Sequence, residues 1–284
     1  MNKSIRVLLD GGLGNQLFQY AYSLYLQERF NTNINLDTCI LGSCGLRKME
    51  LDKIVSFNND KIVIVNRKFS FFDKVLFRIS NLLQSPFMGY YSETECEPYD
   101  KYLSPDITNY KGYWQNANYL IKNRTDILSN INFSTVVDGS FLINKYKIDN
   151  NSVSIHVRRG DYVSDERTSK VHGNVCGSDY YKKAIELMKS KLENINFLIV
   201  SDDPEWCVSE FAWLKNSQVV MDTNSHFEDM FIMSRCKGNI IANSTFSWWA
   251  AFVNTNEDNV VIAPERWFFN TELNNIIPYG WFKV

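Results

Sequence analysis

Residues 152 to 166, Ser-Val-Ser-Ile-His-Val-Arg-Arg-Gly-Asp-Tyr-Val-Ser-Asp-Glu, hold the side chains best suited to grip an anion. Arg158 and Arg159 stand side by side, with Asp161 two positions on. A guanidinium is a planar fork that matches two phosphate oxygens, and a carboxylate close by can hold the fork in orientation. An arginine–aspartate pair that merely locks a turn explains the same residues as well. Val153, Ile155 and Val157 alternate with Ser152, Ser154 and His156, the period of a strand, and the run stops at Gly160. The arginines therefore sit at a strand's polar tip.

Other polar tips recur along the chain. Asn243, Ser244 and Thr245, followed by Phe246, lie at the start of a predicted helix, where they can cap it. The free amides of a helix start also attract anions, so with the arginines on a neighbouring strand end they make a phosphate cradle. Gly11, Gly12 and Gly14 form a glycine turn, and Asn15 and Gln16 then put two amide side chains where they face a sugar or a pyrophosphate. Gly12-x-Gly14 after one strand and Asp37 at the end of the next invite a dinucleotide fingerprint, but Leu17 occupies the place of the third glycine. Ser201-Asp202-Asp203 follows a strand without the spacing of a DxD metal motif, and is assigned to a pocket wall or a helix cap. Tyr110 to Tyr119 mixes aromatics with amides, as sugar sites do; buried aromatic core is the plainer reading and is preferred.

The elements that must position these tips alternate. Strands are expected at 5–9, 33–37, 61–65, 152–157, 196–200, 218–221, 239–242 and 260–263, and helices at 15–30, 69–83, 178–193, 227–236 and 245–253. This is an α/β pattern, a parallel sheet covered on both faces and repeated in two halves, and ligands in such sheets lie beyond the carboxyl ends of strands. Residues 131–150 read as a linker. The expected domains are 1–145 and 146–284. Lys74 and Arg78, on the 69–83 helix, read as a solvated face.

Composition limits the partners. A chain of 284 residues with a net charge of −2 has no basic field for nucleic acid. Its six cysteines include no CxxC pair and it has three histidines, which fits reduced thiols and not a structural zinc site. The uncharged stretch Asn239 to Asn256 carries too many polar side chains to cross a membrane, and the N-terminus does not read as a signal peptide. The expected location is cytoplasmic or peripheral at the inner membrane.

The combination of GGLGNQLFQYA (11–21), GYWQNANY (112–119), HVRRGDY (156–162), HGNVCGSDYY (172–181), SDD (201–203) and EDMFIMSRCKGNIIANSTFSWWAAF (228–252) closely resembles the bacterial α-1,2-fucosyltransferases of glycosyltransferase family 11. The resemblance implies the GT-B fold of two facing Rossmann-like domains with parallel sheets, 1–145 on the acceptor side and 146–284 binding the donor. It also implies inverting, metal-independent transfer of L-fucose from GDP-β-L-fucose to the 2-hydroxyl of a β-galactoside, with no cofactor. The acceptor would be a surface glycan of the O-antigen type, lipid-linked or free. By this similarity Arg158 or Arg159 holds the pyrophosphate together with Ser244, Thr245 and Phe246, while His156 and Asn243 belong to the same donor site. Asp229 stands where a carboxylate takes guanine, and Asn15, beside Gly14 and Gln16, reaches the fucose and β-phosphate. The proton acceptor stays open among Glu166, slightly favoured, Asp165, Asp161 and the leaving phosphate itself. Asp161 reads as an orienting group, because an ion-paired carboxylate is a weak base. Two other readings are kept, a nucleotide-cofactor oxidoreductase built on Gly12-x-Gly14 and a glycan-binding protein without catalysis.

Overall fold

The structure, a computed structural model, describes residues 4–41, 47–57, 60–93, 100–160, 175–256, 258–268 and 275–284. It divides into two compact units, Met1–Asn132 and Phe133–Val284. Both are α/β with parallel sheets.

The first unit carries β1 (Ile5–Leu8), β2 (Ile34–Asp37), β3 (Ile62–Val65), β4 (Tyr90–Ser92) and β5 (Asn109–Lys111). They pair in parallel in the order β3-β2-β1-β5-β4. Its helices are α1 (Leu13–Phe30), α2 (Leu51–Ile54), α3 (Phe71–Leu83), α4 (Ala117–Lys122) and α5 (Arg124–Ser129). Helix α1 buries Leu17, Phe18, Ala21, Tyr22 and Leu26, and it stops at Asn31, whose φ of 45° is left-handed. A buried ion-pair cluster ties β1 to β2 and α3 in this unit. Arg6 on β1 donates from Nε to Asp37 (2.7 Å) and from Nη1 to Asp73 (2.7 Å), and Tyr90 adds its hydroxyl to Asp73 at 3.0 Å. Burial alone lowers the Arg6 pKa, but the two carboxylates more than offset it and the net shift is upward.

The second unit carries β6 (Ser152–Val157), β7 (Asn196–Ser201), β8 (Ser217–Val219), β9 (Gly238–Ile240), β10 (Val260–Ala263) and β11 (Phe282–Lys283), ordered β11-β10-β9-β6-β7-β8. Its helices are α6 (Gly139–Tyr146), α7 (Ser178–Lys191), α8 (Pro204–Glu210), α9 (His226–Arg235) and α10 (Thr245–Phe252). Residues 131–150 are therefore not an irregular linker. Asp138 caps α6 by accepting from Phe141 N at 3.0 Å, a signal masked in the sequence by the polar run around it.

Strand β6 is central and buried on both faces. Val153, Ile155 and Val157 pack with Tyr180, Tyr181, Ala184, Ile185 and Met188 of α7. Each buried Val, Ile or Met among them contributes about 1.5–3 kcal/mol by leaving water. The alternate face is covered too: Asn239 Nδ2 donates to Ser154 Oγ at 2.7 Å, and Ser152 Oγ donates to Asp149 Oδ1 at 3.1 Å, so both serines are satisfied. In each sheet one pair of neighbouring central strands marks where the chain reverses its direction of travel across the sheet. These are β1 and β5 in the first and β6 and β9 in the second, and such switch points are where open parallel sheets form a crevice.

Candidate functional site

In the second unit the switch point joins the tips of β6 and β9. The parallel register sets Val157 opposite Ser201, so Arg158 and Arg159 emerge beside Asp202 and Asp203 at the end of β7. Arg158 Nη1 lies 2.7 Å from Asp202 Oδ2, and Arg159 Nε donates to Asp203 Oδ2 at 3.0 Å. Arg159 also donates its backbone N–H to Asp202 Oδ1 at 2.9 Å and stacks its guanidinium 3.8 Å above the Trp206 ring. These side chains are a quarter or more exposed, and pairs of that kind are worth roughly 1 kcal/mol or less. Their effect is orientation. A fork of five N–H donors is not exhausted by one carboxylate, and the stack fixes its plane. A Cβ at Gly160 would sit 2.5 Å from Asp202 Oδ2, so any larger residue there makes that carboxylate shift. Asp203 has a second part: its side chain caps α8 by accepting from Trp206 N at 3.3 Å.

Across the switch point, β9 runs into Asn243 and Ser244 and then α10. Asn243 is buried and donates from Nδ2 to the Trp267 carbonyl at 3.2 Å, which pins the turn. Ser244 is the N-cap residue, yet its side chain makes no capping hydrogen bond and the first turn has no acidic residue. The simple capping role considered for Ser244 is thus not realised. The amides at Thr245 and Phe246 open a helix end that favours an anion. Helix α10 is buried almost all round, with Trp248 and Trp249 at 0% exposure, so its start is held rigidly.

Phe246 lies against two imidazoles, His156 (ring centres 5.7 Å apart) and His226 (6.2 Å). His156 is buried, and its Nδ1 has no hydrogen-bond partner among the described residues. Burial, with Arg158 nearby, pushes its pKa down to about 3, so the ring is neutral at pH 7. One turn beyond His226 on α9, Asp229 is half-buried, and desolvation lifts its carboxyl to about 6 despite help from Thr223 and His226. His156, Arg158, Arg159, Asn243, Ser244, Thr245, Phe246 and Asp229 thus belong to one unit, around one sheet's switch point.

The first unit gathers the glycine turn and the GYWQ segment at its own switch point. Gly11 has φ +79°, and a Cβ there would lie 2.5 Å from Asn15 Nδ2, so both backbone and space require glycine. Asn15 Oδ1 accepts from Gln115 Nε2 at 3.0 Å. Gln19, four positions on, accepts from Asp10 N and donates to the Gly112 carbonyl at 2.9 Å. Gln115 is aimed by Trp114, a buried residue at φ 56° that stacks on Tyr22 at 4.2 Å; Glu93 accepts from its N–H at 2.8 Å. A left-handed tryptophan is strained by about 1–3 kcal/mol, which packing of this quality holds in place. Gly14 lies buried in the first turn of α1. Gln16 is fully buried, with its amide donating to the Gly11 and Lys48 carbonyls and accepting from Glu50 N. It holds the turn and does not present an amide to a sugar or pyrophosphate, which corrects that expectation. Tyr110, Trp114 and Tyr119 are buried core, leaving Tyr113 as the exposed ring of the segment.

Asp161, Asp165, Glu166 and His172 lie outside the described residues. Asp37, which the dinucleotide reading would place on a ribose, is 0% exposed; it holds Arg6 and accepts from the N–H groups of Cys39 and Arg67.

The sequence matches the profile of Glycosyl transferase family 11 over residues 4–282. The chain belongs to glycosyltransferase family 11. An alpha-1,2-colitosyltransferase of Escherichia coli is 32% identical to this family 11 chain, covering 97% of both. The O-antigen biosynthesis glycosyltransferase WbnK of Escherichia coli is 31% identical over 97% of this chain and 99% of its own. Among solved structures, the fucosyltransferase NodZ from Bradyrhizobium superposes with a TM-score of 0.56 at 13% identity, covering 88% of this chain and 92% of NodZ. At that identity the likeness speaks for the fold, which is the GT-B architecture of fucosyltransferases, α/β with parallel sheets.

Sequence reasoning missed four participants, Asp202 as the partner of Arg158, Trp206 under Arg159, Gln115 against Asn15, and His226 beside Phe246. A signal existed for the first. RR and DD each follow a predicted strand at once, and parallel neighbours in register bring such tips together.

Proposed function

We propose that this family 11 glycosyltransferase transfers L-fucose from GDP-β-L-fucose to the 2-hydroxyl of a β-galactoside in a surface glycan of the O-antigen type, with inversion and with no metal. The observation that carries the reading is the pair of carboxylate-held arginines just beyond β6, at the same switch point as the start of α10, whose N-cap side chain makes no capping bond. As the fucosyl carbon–oxygen bond breaks, its electron pair goes to the β-phosphate, and charge grows there. Arg158, Arg159 and the amides of Thr245 and Phe246 are fixed donors for that charge, and donors already oriented lower the barrier without having to reorganise. Neutral His156 can donate or accept at the edge of the same pocket. Asp229, once ionised, accepts from guanine N1–H and its 2-amino group together, which adenine does not offer. Asn15 serves the fucosyl ring and the β-phosphate.

The acceptor hydroxyl must lose its proton on the face opposite the departing GDP. Glu166 is proposed as the group that takes it. Glu166→Gln is expected to lower kcat by about 10² with GDP affinity unchanged. Wild-type turnover in that variant, together with a folded but inactive Asp161→Asn, would move the role to Asp161.

The 32% identity to an α-1,2-colitosyltransferase favours a second donor, GDP-colitose. Colitose is L-fucose without the 3-hydroxyl, so the same phosphate and guanine contacts serve both. Initial rates with the two donors at equal concentration decide between them. The oxidoreductase reading is disfavoured by the closed environment of Asp37, and a non-catalytic glycan binder leaves the paired arginines without a purpose. A thermal-shift screen separates these readings, since a ligand stabilises the fold by mass action. GDP is expected to raise Tm, and NAD and ADP to leave it unmoved. Stabilisation by NAD alone would overturn the assignment. Among the described residues no helix is long and apolar enough to cross a membrane, and the proposed location is cytoplasmic or peripheral to the inner membrane.

A further inference from the structure

In the first unit, α3 turns much of its apolar surface outward. Phe71, Phe72, Leu82 and Leu83 are 77, 75, 74 and 57% exposed, while Asp73, Phe77 and Ser80 form the buried side. Positions on a helix advance about 100° each, so Phe71, Val75, Ile79 and Leu82 share one outer stripe with Phe72 and Leu83 beside it. Exposed Lys74 and Arg78 run along one edge, and exposed Arg67 and Lys68 lead into the helix. The helix is well founded despite its exposure. Ser70 and Asp73 form a reciprocal capping box, and Asp73 is tied to Arg6.

The local charge is as uneven as the polarity. Residues 67–83, the helix and its lead, hold four basic side chains (Arg67, Lys68, Lys74, Arg78) and one acidic side chain, Asp73, a local balance of 4 − 1 = +3 on a chain of net −2. That single acid is buried in the ion pair with Arg6, so none of it offsets the surface cations. An apolar stripe edged by cations suits the boundary of an anionic bilayer, where rings and leucines enter the acyl edge and the basic heads stay with the phosphates. A two-fold pairing with a second copy of this chain would set the same cations against each other, which disfavours it. We propose that α3, with the Arg67–Lys68 lead, docks the protein on an anionic lipid surface. This surface is separate from the donor site, and the inference does not rest on which sugar is transferred.

The full chain is to be mixed with phosphatidylcholine vesicles with and without phosphatidylglycerol and sedimented. Wild type is expected to pellet with the anionic vesicles, to be released as salt screens the charges, and to bind neutral vesicles weakly. Phe71→Ser with Phe72→Ser and Leu82→Ser, and separately Lys74→Glu with Arg78→Glu, are each expected to lower the bound fraction at least tenfold at unchanged Tm. Should the apolar triple fail to fold, the charge pair alone decides. The proposal is overturned if wild type stays in the supernatant with anionic vesicles, or if the folded variants bind as wild type does. It is also overturned if wild type is a dimer that Phe71→Ser dissociates.

Discussion

Arg158 and Arg159 have different tasks at the atomic level, although the sequence presents them as twins. Arg159 is fixed three ways, by Asp203, by Asp202 through its backbone, and by the Trp206 ring, whereas Arg158 is held through Asp202. Replacing either with alanine removes a charge-assisted contact to phosphate of about 1.5–3 kcal/mol. GDP affinity measured by calorimetry is expected to fall by roughly 10- to 100-fold with little change in Tm, since partly exposed ion pairs add little stability. Wild-type GDP affinity in both variants would end the phosphate assignment. Asp229 supplies a pH signature. Its carboxyl sits near 6 through burial, and guanine needs it ionised, so GDP affinity is expected to be level above pH 7 and to weaken as pH falls through 6. The stability sign is opposite. A carboxyl raised in the fold binds its proton more tightly there than in the unfolded chain, so its charged form disfavours the folded state above pH 6 and this penalty disappears as pH falls. Asp229→Asn should therefore keep or raise Tm at pH 7 while it flattens the pH profile and loses the preference for GDP over ADP. A drop in Tm with guanine preference intact would contradict both statements.

Elements convert sequence neighbours into a site. The tips of β6 and β7 lie 44 positions apart, yet parallel register brings Arg159 to Asp203 without any long side-chain reach. Gly160→Ala tests that geometry: its Cβ would overlap Asp202 Oδ2, so the carboxylate must leave Arg158, and KM for the donor is expected to rise several-fold while Tm changes little. Unchanged donor KM would show that Asp202 does not orient the fork. Buried pairing behaves differently. Arg6→Ala leaves Asp37 and Asp73 uncompensated inside the first unit, and denaturant unfolding should show a loss of about 3–5 kcal/mol. The alternation of strands and helices was legible because apolar runs of period 2 and 3.6 mark β6 and α7, and because Asn243-Ser244-Thr245 marks the start of α10. Elements shorter than about two turns, such as α2, α5 and α8, were not, since four to seven residues cannot establish a period. Helix α6 was hidden by its polar surroundings and shows only through the Asp138 cap. Of the candidate site, the motif residues were legible by type, but their partners were not, because register and switch points belong to the sheet and not to any local stretch. Gln16 illustrates the limit: an amide at a helix start reads as a ligand contact until its backbone partners are seen.

The whole molecule is two parallel-sheet units, each with polar tips gathered at its own switch point, and the account assigns the donor's guanine and pyrophosphate to the second. A net charge of −2 is consistent with a small anionic ligand held by local groups and not by a long-range field. The proposed role of Arg158, Arg159 and the α10 amides at the leaving phosphate carries the expectation that divalent ions are not needed. The central claim is transfer to the 2-hydroxyl of galactose, and it is tested most directly by identifying the product. The protein is to be incubated with GDP-β-L-fucose and a panel of β-galactosides in excess EDTA, and the new glycosidic linkage located by NMR. The account predicts an α-linked fucose on the galactose 2-hydroxyl, formed at the same rate with and without the chelator. Fucose on another hydroxyl, no transfer from either GDP-fucose or GDP-colitose, or a reaction restored by added magnesium or manganese would contradict it.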